Sequence, residues 1–250
     1  MLKNFIKYIL QKLLGLKTYL FLFSHFMIRK LLWDKREGAF LVFLQLIKDA
    51  ENVLDIGANI GVMTYHFSNK LPNSTIHSFE PNPVNFDILS RIKRKFGLTN
   101  VVLYNHALGN QNGEIQLIMP RSGGVFFHGL SHVVKGVNAE KGITNNVEIK
   151  RLDDIDFFLI NPVSAIKIDV EDYEYEVLLG AEKVIDKNRP LIYCELWPGE
   201  NRQKSFEFML KNNYSAYVWH RNELVLFDQR SHHQNFFFIP VEQIKDLKLN

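Results

Sequence analysis

The sequence predicts an α/β fold with a doubly wound, mostly parallel sheet of about seven strands. Three observations support this prediction. Short apolar runs that suit strands alternate with longer segments of helical spacing. A glycine turn follows the first of these runs, as in strand–loop–helix units. Three strand-like runs at the carboxyl end lack helices between them, so the final edge should be antiparallel.

The predicted elements alternate along most of the chain. The expected strands are residues 52–57, 74–81, 101–109, 113–120, 146–155, 164–169, 190–196, 214–220, 223–228 and 235–240. The expected helices are residues 39–51, 61–71, 82–97, 173–188 and 199–212. In the third helix we expect Asn82 to be the N-cap, Pro83 the first helical residue and Gly97 the stop.

The alternation is interrupted between Gly109 and Asp156. Residues 113–120 and 146–155 alternate like strands and flank the glycine-rich, histidine-bearing segment 121–136. We therefore predict an insertion of two antiparallel strands joined by a long loop, in place of a crossover helix. Loops of that length in compact domains are usually functional or disordered.

Residues 1–36 are predicted to be a helical N-terminal extension, followed by one domain over residues 37–250. This extension has eight Lys or Arg against Asp34 alone, a charge of +7, which leaves −4 for the rest because the whole chain carries +3. Its apolar run at residues 18–28 is too short for a membrane span, and no small-residue cleavage site follows. Basic amphipathic helices either pack on the domain as a cap or lie at an anionic membrane surface. We expect a cytoplasmic protein, with peripheral contact at the inner membrane surface through residues 1–30 as the alternative.

Composition excludes several classes of function. The mildly acidic body argues against a nucleic-acid partner. A single cysteine, Cys194, excludes an internal disulfide and any site that needs several cysteines. Cys194 lies in an apolar run, so we expect it to be a small buried side chain.

The first strand–loop–helix unit is the predicted ligand site, because open α/β sheets bind ligands beyond the carboxyl ends of their strands. Its loop lacks the G-x-G-x-x-G of dinucleotide sites, which argues against an NAD-dependent oxidoreductase and favours a nucleoside without phosphates. Gly57 and Gly61 let the chain turn beside the ligand, and Asp55 can pair with an ammonium group. Glu80, at the end of the next strand, can accept both hydroxyls of a ribose. An amino-acid-bearing nucleoside, S-adenosyl-L-methionine, meets this description.

Five segments resemble successive signatures of the FkbM family of methyltransferases. They are DIGANIG with Thr64, FEPNP with Phe86, NHALG, IKIDVEDYEYEVLLGA and NFFFIP. The resemblance runs from about residue 37 to residue 240 in the family's order. It implies a Rossmann-like class I methyltransferase fold with seven strands and a reversed last strand. The chain departs from the family at Asp172, where the family usually has glycine, and this departure puts the local turn and the acceptor preference in doubt.

The resemblance also implies roles for individual residues at the cofactor. Asp55, Gly57, Asn59 and Gly61 would line the methionine half, and Glu80 would bind the ribose. Residues from Asn105 to Ala107 would border the adenine. Simpler interpretations stay open: both glycines serve only as turn residues, and Asn59 only caps the following helix.

The catalytic candidates are Asp169, Glu171 and Lys167, at the end of a strand predicted to lie beside the first. Alternation places Lys167 on the same face as Asp169, and a buried lysine needs an acidic partner. Asp169 is the first candidate for the base or for orienting a hydroxyl acceptor, and Glu171 is the second. Glu174 and Glu195 add acids near the same mouth.

Other side chains near this mouth have two interpretations each. Asp172 either caps the following helix or takes part in catalysis. His128 and His132 either help to bind the acceptor or are solvated loop side chains. The clustered carboxylates also suit a divalent cation, although we expect no metal site.

Two functions follow from these expectations. The first is an S-adenosylmethionine-dependent O-methyltransferase that acts on a hydroxyl of a small molecule or a sugar. The second is a non-catalytic module of the same fold that docks to a membrane or a partner through its basic N-terminal segment.

Overall fold

The computed structural model describes residues 2–48, 50–134, 140–228 and 232–245, so the last two residues of the predicted loop 121–136 lie outside the described residues. The N-terminal extension is helical. Its helices are α1 (Leu2–Leu14) and α2 (Leu16–Leu31), and a 3-10 turn leads from them into α3 (Gly38–Leu46). Among the described residues, no helix has the length and apolarity needed to cross a membrane.

The first half of the domain alternates as predicted. Its elements are β1 (Asn52–Ile56), α4 (Val62–Lys70), β2 (Thr75–Phe79), α5 (Pro83–Phe96) and β3 (Val101–Tyr104). The predicted boundaries of α5 are confirmed, since the Asn82 side chain accepts from Val84 N and Asn85 N, and Gly97 has φ +61°.

The predicted insertion of two antiparallel strands is confirmed. It contains β4 (Ala107–Leu108), β5 (Gly113–Ser122), β6 (Val125–Phe126), β7 (His132–Val133) and β8 (Gly142–Lys150). These strands form a second sheet in the order β4-β8-β5-β6, with β7 also paired to β5. The single strand predicted over residues 101–109 was wrong, because β3 belongs to the main sheet and β4 to this second sheet. Asn105 lies at the break, where its side chain donates to the carbonyls of Glu80 and Pro81.

The second half restores the alternation. Its elements are α6 (Asp156–Ile160), β9 (Val163–Ile168), α7 (Glu174–Gly180), α8 (Glu182–Asn188), β10 (Leu191–Glu195), α9 (Glu200–Lys211), β11 (Tyr214–His220), β12 (Glu223–Leu226) and β13 (Asn235–Pro240). The single helix predicted over residues 173–188 is two helices. Gly180 lies so close to the backbone of Gly109 that a Cβ there would be 1.8 Å from its carbonyl oxygen. The start of α8 is capped by a residue that is distant along the chain, because the Asp153 carboxylate accepts hydrogen bonds from the backbone N–H groups of Lys183 and Val184.

The main sheet has eight strands in the order β12-β11-β13-β10-β9-β1-β2-β3. Five of them (β1, β2, β3, β9 and β10) are parallel, and the closing strands are antiparallel, as predicted. The eighth strand is β12, which extends the antiparallel edge beyond the expected seven. In the sheet, β1 lies between β2, the next strand along the chain, and β9, a strand from the second half of the domain. The strand order therefore reverses at β1, where sheets of this kind bind ligands.

Helix α2 packs on the domain beside this reversal point. The Ser24 hydroxyl donates to the Ile60 carbonyl at 2.8 Å, and His66 Nε2 lies 3.0 Å from the Ile28 carbonyl oxygen. Buried apolar side chains of α2, α5 and the loop before α4 form a cluster of their own: Tyr19, Leu20, Ile28, Ile60, Ile88 and Ile92. The N-terminal extension thus lies over the edge of the sheet where the site is expected.

Candidate active site

A cavity of ≈ 650 Å³, including its mouth, opens beyond the carboxyl ends of β1, β2 and β9. Its wall contains six of the ten residues that the sequence singles out: Gly57, Asn59, Glu80, Ala107, Asp169 and Glu171. The other four, Asp55, Gly61, Asn105 and Lys167, are not on this wall.

The loop after β1 is held close to the ends of its neighbours. Gly57 N and Ala58 N both donate to the Phe79 carbonyl at the end of β2, at 3.0 and 2.9 Å. Gly57 has φ +78°, and a Cβ there would lie 1.8 Å from the Asp169 carbonyl oxygen. Glycine at position 57 is therefore required both by its backbone conformation and by the close approach of the strand ends.

Gly61 serves the turn and the packing of α4. It has φ +82° and precedes the first residue of the helix. A Cβ at this position would lie 2.8 Å from Leu89 Cδ1 on α5. For Gly61 the structure thus supports the turn interpretation.

Asn59 connects this loop to both β2 and the insertion. Its backbone N–H donates to Glu80 Oε2 at 2.7 Å, and its side-chain oxygen lies 2.9 Å from His128 Nδ1. The N-cap of α4 is Gly61, with no side-chain cap hydrogen bond. Asn59 therefore does not cap the helix, and its left-handed backbone (φ +51°) turns it towards the cavity.

Glu80 is a buried carboxylate on the cavity wall. Each of its oxygens accepts one backbone N–H, from Asn59 at 2.7 Å and from Asn82 at 2.8 Å. Burial raises the pKa of Glu80 to about 7, against the lowering effect of these two N–H groups. The carboxylate is thus fixed in orientation and retains lone pairs for hydroxyl donors.

Lys167 lies beneath the cavity, between two acids. Its Nζ is 3.3 Å from Asp55 Oδ1 and 3.5 Å from Asp169 Oδ2, and it donates to the Gly57 carbonyl at 2.8 Å. Burial acts to lower the pKa of Lys167, but the attraction of Asp55 and Asp169 outweighs it, so the pKa is raised. The acidic partner expected for this buried lysine is therefore present.

Asp55 is enclosed below the loop and does not face the cavity. Its carboxylate accepts from the Thr64 hydroxyl at 2.6 Å and pairs with Lys167. The side chain is fully buried. Its position thus serves Lys167 rather than a ligand ammonium, which differs from the role inferred from the sequence.

Acids with raised pKa values surround Asp169 at the rim. Burial, followed by repulsion from Asp169, raises the pKa of Glu171 to about 8 and that of Glu195 to about 7. Burial also raises the pKa of Glu174 to about 7, although this side chain is held by Asn201 Nδ2 at 2.6 Å. Several carboxyl groups around Asp169 therefore titrate near neutral pH.

The loop after β9 has two consecutive left-handed residues, Glu171 (φ +52°) and Asp172 (φ +66°). The backbone N–H of Asp172 donates to Glu174 Oε1 at 3.2 Å. Tyr173 is the N-cap of α7, so Asp172 lies one residue before the capping position. This backbone explains why glycine suits position 172.

The histidines of the insertion differ from each other. His128 borders the cavity and contacts Asn59, and burial, together with the charge of Lys7, lowers its pKa to about 4. His132 Nε2 lies 3.2 Å from Glu140 Oε2. Of these two candidates only His128 reaches the cavity.

Several residues of the wall have no site role in the sequence interpretation. Tyr173, Ile115 and Leu117 are such residues, whereas His106, also on the wall, lies in the segment expected near the adenine. Ile115 and Leu117 come from the insertion. The alternating pattern of this segment predicted its strands, but it did not predict that they would form part of the cavity wall. Asn105 is exposed and reaches the main chain at Glu80 instead of the cavity.

A second cavity of ≈ 590 Å³, including its mouth, lies on the other side of the first loop. It shares Gly57, Asn59, His128 and Asp169 with the first cavity and adds Glu37 and Lys167. Helix α2 contributes apolar side chains to it: Phe23, Met27 and Leu31. Asp169 is thus one of four residues that border both cavities.

Over the ranges that the structure describes, no three His, Cys, Asp or Glu side chains are grouped to hold a metal ion. The single cysteine, Cys194, is buried as expected.

Relatives of known sequence share this domain. "Methyltransferase 1" of Beauveria bassiana (strain ARSEF 2860) is 28% identical over 151 residues, which are 54% of this chain and 59% of that protein. "Methyltransferase sdnD" of Sordaria araneosa is 24% identical over 185 residues, 64% of this chain and 71% of that protein.

The fold is also shared with a solved structure, the methyltransferase FkbM from Methylobacillus flagellatus KT. The TM-score is 0.50 at 16% identity, and the match covers 78% of this chain and 45% of that chain. The chain thus spans less than two thirds of the length of the Beauveria bassiana relative and of this solved structure. The profile described as "Methyltransferase FkbM domain" matches residues 55–215. This chain belongs to the FkbM methyltransferase family.

Proposed function

We propose that the protein is an S-adenosylmethionine-dependent methyltransferase that transfers a methyl group to a hydroxyl of a small molecule or a sugar. The observation that carries this proposal is that Glu80 and Asp169 line one cavity from the ends of β2 and β9, the two strands that flank β1. Glu80 meets the requirements of a ribose site, since its oxygens are fixed by backbone donors and face the cavity. Membership of a methyltransferase family supports the same cofactor.

In this proposal each half of the cofactor has its own residues. Glu80 accepts the ribose hydroxyls, and His106 and Ala107 border the adenine. Gly57 and Asn59 border the methionine half. Gly61 and Asp55 act indirectly, through the turn and through Lys167.

Asp169 is the proposed catalytic residue, because it borders both cavities and its side chain is 32% exposed. Bound S-adenosylmethionine supplies an electrophilic methyl group on a sulfonium. Asp169 orients the acceptor hydroxyl and accepts its proton as the oxygen attacks. Glu171 is the second candidate, and its raised pKa means that it is largely protonated at neutral pH.

Lys167 is a positioning residue in this scheme. It contacts Asp169, Asp55 and the Gly57 carbonyl, so it holds the proposed base against the loop that borders the methyl donor. The second cavity is the proposed place of the acceptor, since it reaches Asp169 from the side of α2.

Calorimetric titration with S-adenosylhomocysteine tests the cofactor site. We expect a Kd of about 1–100 µM for the wild type. Glu80→Gln should weaken binding by about tenfold or more, because it places an amide donor against a backbone N–H. Glu114→Gln, on exposed β5, is the matched control and should bind normally. No binding by folded wild type would favour the non-catalytic module instead.

Turnover is measured with labelled methyl donor against a panel of sugars, other hydroxyl compounds and amines. Asp169→Asn should keep S-adenosylhomocysteine binding and lower turnover by about 100-fold or more. Asp156→Asn, exposed on α6 and outside both cavities, is the control. Full turnover in Asp169→Asn would remove Asp169 from the mechanism, and labelling of amines alone would refute transfer to a hydroxyl.

A further inference from the structure

The outer surface of the N-terminal helices carries an unusual concentration of exposed apolar side chains. Eleven of the nineteen exposed large hydrophobic side chains among the described residues lie between Leu2 and Trp33. The other eight are dispersed over the rest of those residues. A contiguous apolar surface on a folded domain marks an interaction site.

The apolar side chains of α1 form one stripe along the helix. Their spacing follows the helical repeat at Leu2, Phe5, Ile6, Ile9 and Leu13. Leu2 and Leu13 are 71% and 77% exposed. This stripe therefore points away from the protein.

The opposite face of α1 is anchored on the insertion. The Gln11 side chain donates to the Phe126 carbonyl at 3.0 Å and accepts from Phe126 N at 2.9 Å. Tyr8 lies against Gly124, where a Cβ would approach the ring to 2.8 Å. Because these contacts hold the helix in one rotation, its outward apolar face is a property of the fold.

Helix α2 continues the same surface. A groove between the two helices is lined by Ile6, Leu10, Leu22 and Phe26, with Lys3 and Lys7 also on its walls. Beyond α2, Trp33 is 86% exposed. Tryptophan at such a position suits the boundary between lipid and water.

The positive charge of residues 1–36 indicates which kind of surface they bind. Residues 1–36 carry +7, whereas the rest of the chain sums to −4. Lys3 and Lys12 are exposed on α1 beside the apolar stripe. Apolar side chains flanked by lysines complement an anionic lipid surface, where the chains enter the interface and the lysines meet the headgroups.

We propose that α1 and α2 dock the protein on an anionic lipid bilayer, with the stripe of α1 inserted at the interface. Helix α2 also supplies Phe23, Met27 and Leu31 to the second cavity. One helix therefore joins the lipid-facing surface to the interior site. The docking does not depend on the proposed methyl transfer.

The test is flotation of the full chain with vesicles of phosphatidylcholine alone or with added phosphatidylglycerol. We expect binding to the anionic vesicles, weakened by salt, and little binding to the neutral ones. Leu13→Glu should lower the partition coefficient by about tenfold or more, and Lys12→Glu by a smaller factor.

The chain offers a matched control at Leu210 and Lys211 on α9, where an exposed leucine again adjoins an exposed lysine. Leu210→Glu and Lys211→Glu should bind vesicles like the wild type. Equal loss in these controls, or normal binding by Leu13→Glu, overturns the proposal. So does a dimer in solution that Leu13→Glu dissociates while vesicles bind neither protein. Phe5→Glu, another change on the stripe, replaces Leu13→Glu if that variant fails to fold.

Discussion

The loops that follow β1 and β9 solve the same geometric problem with different residues. Both loops follow the carboxyl ends of parallel strands, next to the cavity, and both contain residues with a left-handed backbone conformation. The first loop uses Gly57, Asn59 and Gly61, with φ +78°, +51° and +82°. The second uses Glu171 and Asp172, with φ +52° and +66°.

The difference lies in what surrounds each loop. A side chain at Gly57 would meet the Asp169 carbonyl, so space as well as conformation excludes one. At Glu171 the side chain instead joins the acids around Asp169. The comparison teaches that the first loop is shaped for close approach, whereas the second accepts backbone strain and brings carboxylates to the mouth.

Lys167 joins the two loops, and its removal should have the largest effect. Lys167→Met leaves Asp55 and Asp169 without their cation, and Asp55 is fully buried. We expect a loss of about 3–5 kcal/mol in the free energy of unfolding, measured by urea denaturation. The double variant Asp55→Asn/Lys167→Met should recover part of this loss. A single variant as stable as the wild type would contradict the role of the ion pairs.

Gly57→Ala tests the close approach within the first loop. We expect a loss of about 3 kcal/mol, from left-handed strain and the clash with the Asp169 carbonyl, together with weaker S-adenosylhomocysteine binding. Gly97→Ala is the matched control, because Gly97 has φ +61° but no atom within 4 Å of its Cβ position. It should lose only about 1 kcal/mol. Equal losses would show that conformation alone requires glycine at position 57.

Four acids with raised pKa values, of which Glu171 lies in the second loop, should make the free energy of unfolding fall as the pH rises towards 8. The pKa of Glu171 is about 8 and those of Glu80, Glu174 and Glu195 are about 7 in the folded protein. Each is above the value of about 4.3 in an unfolded chain, so the folded state binds more protons and loses stability as they ionise. Buried histidines act oppositely, but only below about pH 6.5.

The measurement for this prediction is the melting temperature between about pH 6.5 and 8.5. Glu171→Gln should make the decline shallower by about 1–2 °C, and Glu114→Gln on exposed β5 should leave it unchanged. A decline identical in wild type and Glu171→Gln would exclude Glu171 as a contributor.

Asp172→Gly should have the smallest effect and the opposite sign. Glycine relieves the left-handed strain at φ +66°, so we expect the free energy of unfolding, measured by thermal denaturation, to rise by up to about 1 kcal/mol. Asp172→Asn removes the charge while it keeps a side chain, and it separates the two effects. A less stable Asp172→Gly protein would show that the carboxylate contributes more than the strain costs.

The strand ends that form the site were largely predictable, because local patterns encode them. The run before Gly57 and the run before Pro81 are short, apolar and closed by turn residues, and they became β1 and β2 as expected. Alternation also placed Lys167 and Asp169 on one face, where they now form an ion pair. The capping residues of α5 were predictable for the same reason, since capping depends on neighbouring residues.

The errors occurred where distant contacts override local preference. Helical spacing runs through residues 173–188, but the contact of Gly180 with Gly109 and the cap from Asp153 divide the segment. Likewise, the strand predicted over residues 101–109 changes sheets at Asn105. Gly180 and Asn105 lie at these breaks, but only their contacts with distant residues show that the elements end there.

The sequence by itself determined the alternation of strands and helices, the glycine loop and the acids at the strand tips, because these features depend on neighbours along the chain. Only the tertiary structure decided which acid faces the cavity and which lies beneath it. Asp55 and Glu80 end neighbouring strands, yet one is paired with Lys167 and the other lines the cavity. The physical reason is that a carboxylate's role depends on the cation or donor folded against it, and Lys167 lies more than a hundred residues away from Asp55 along the chain.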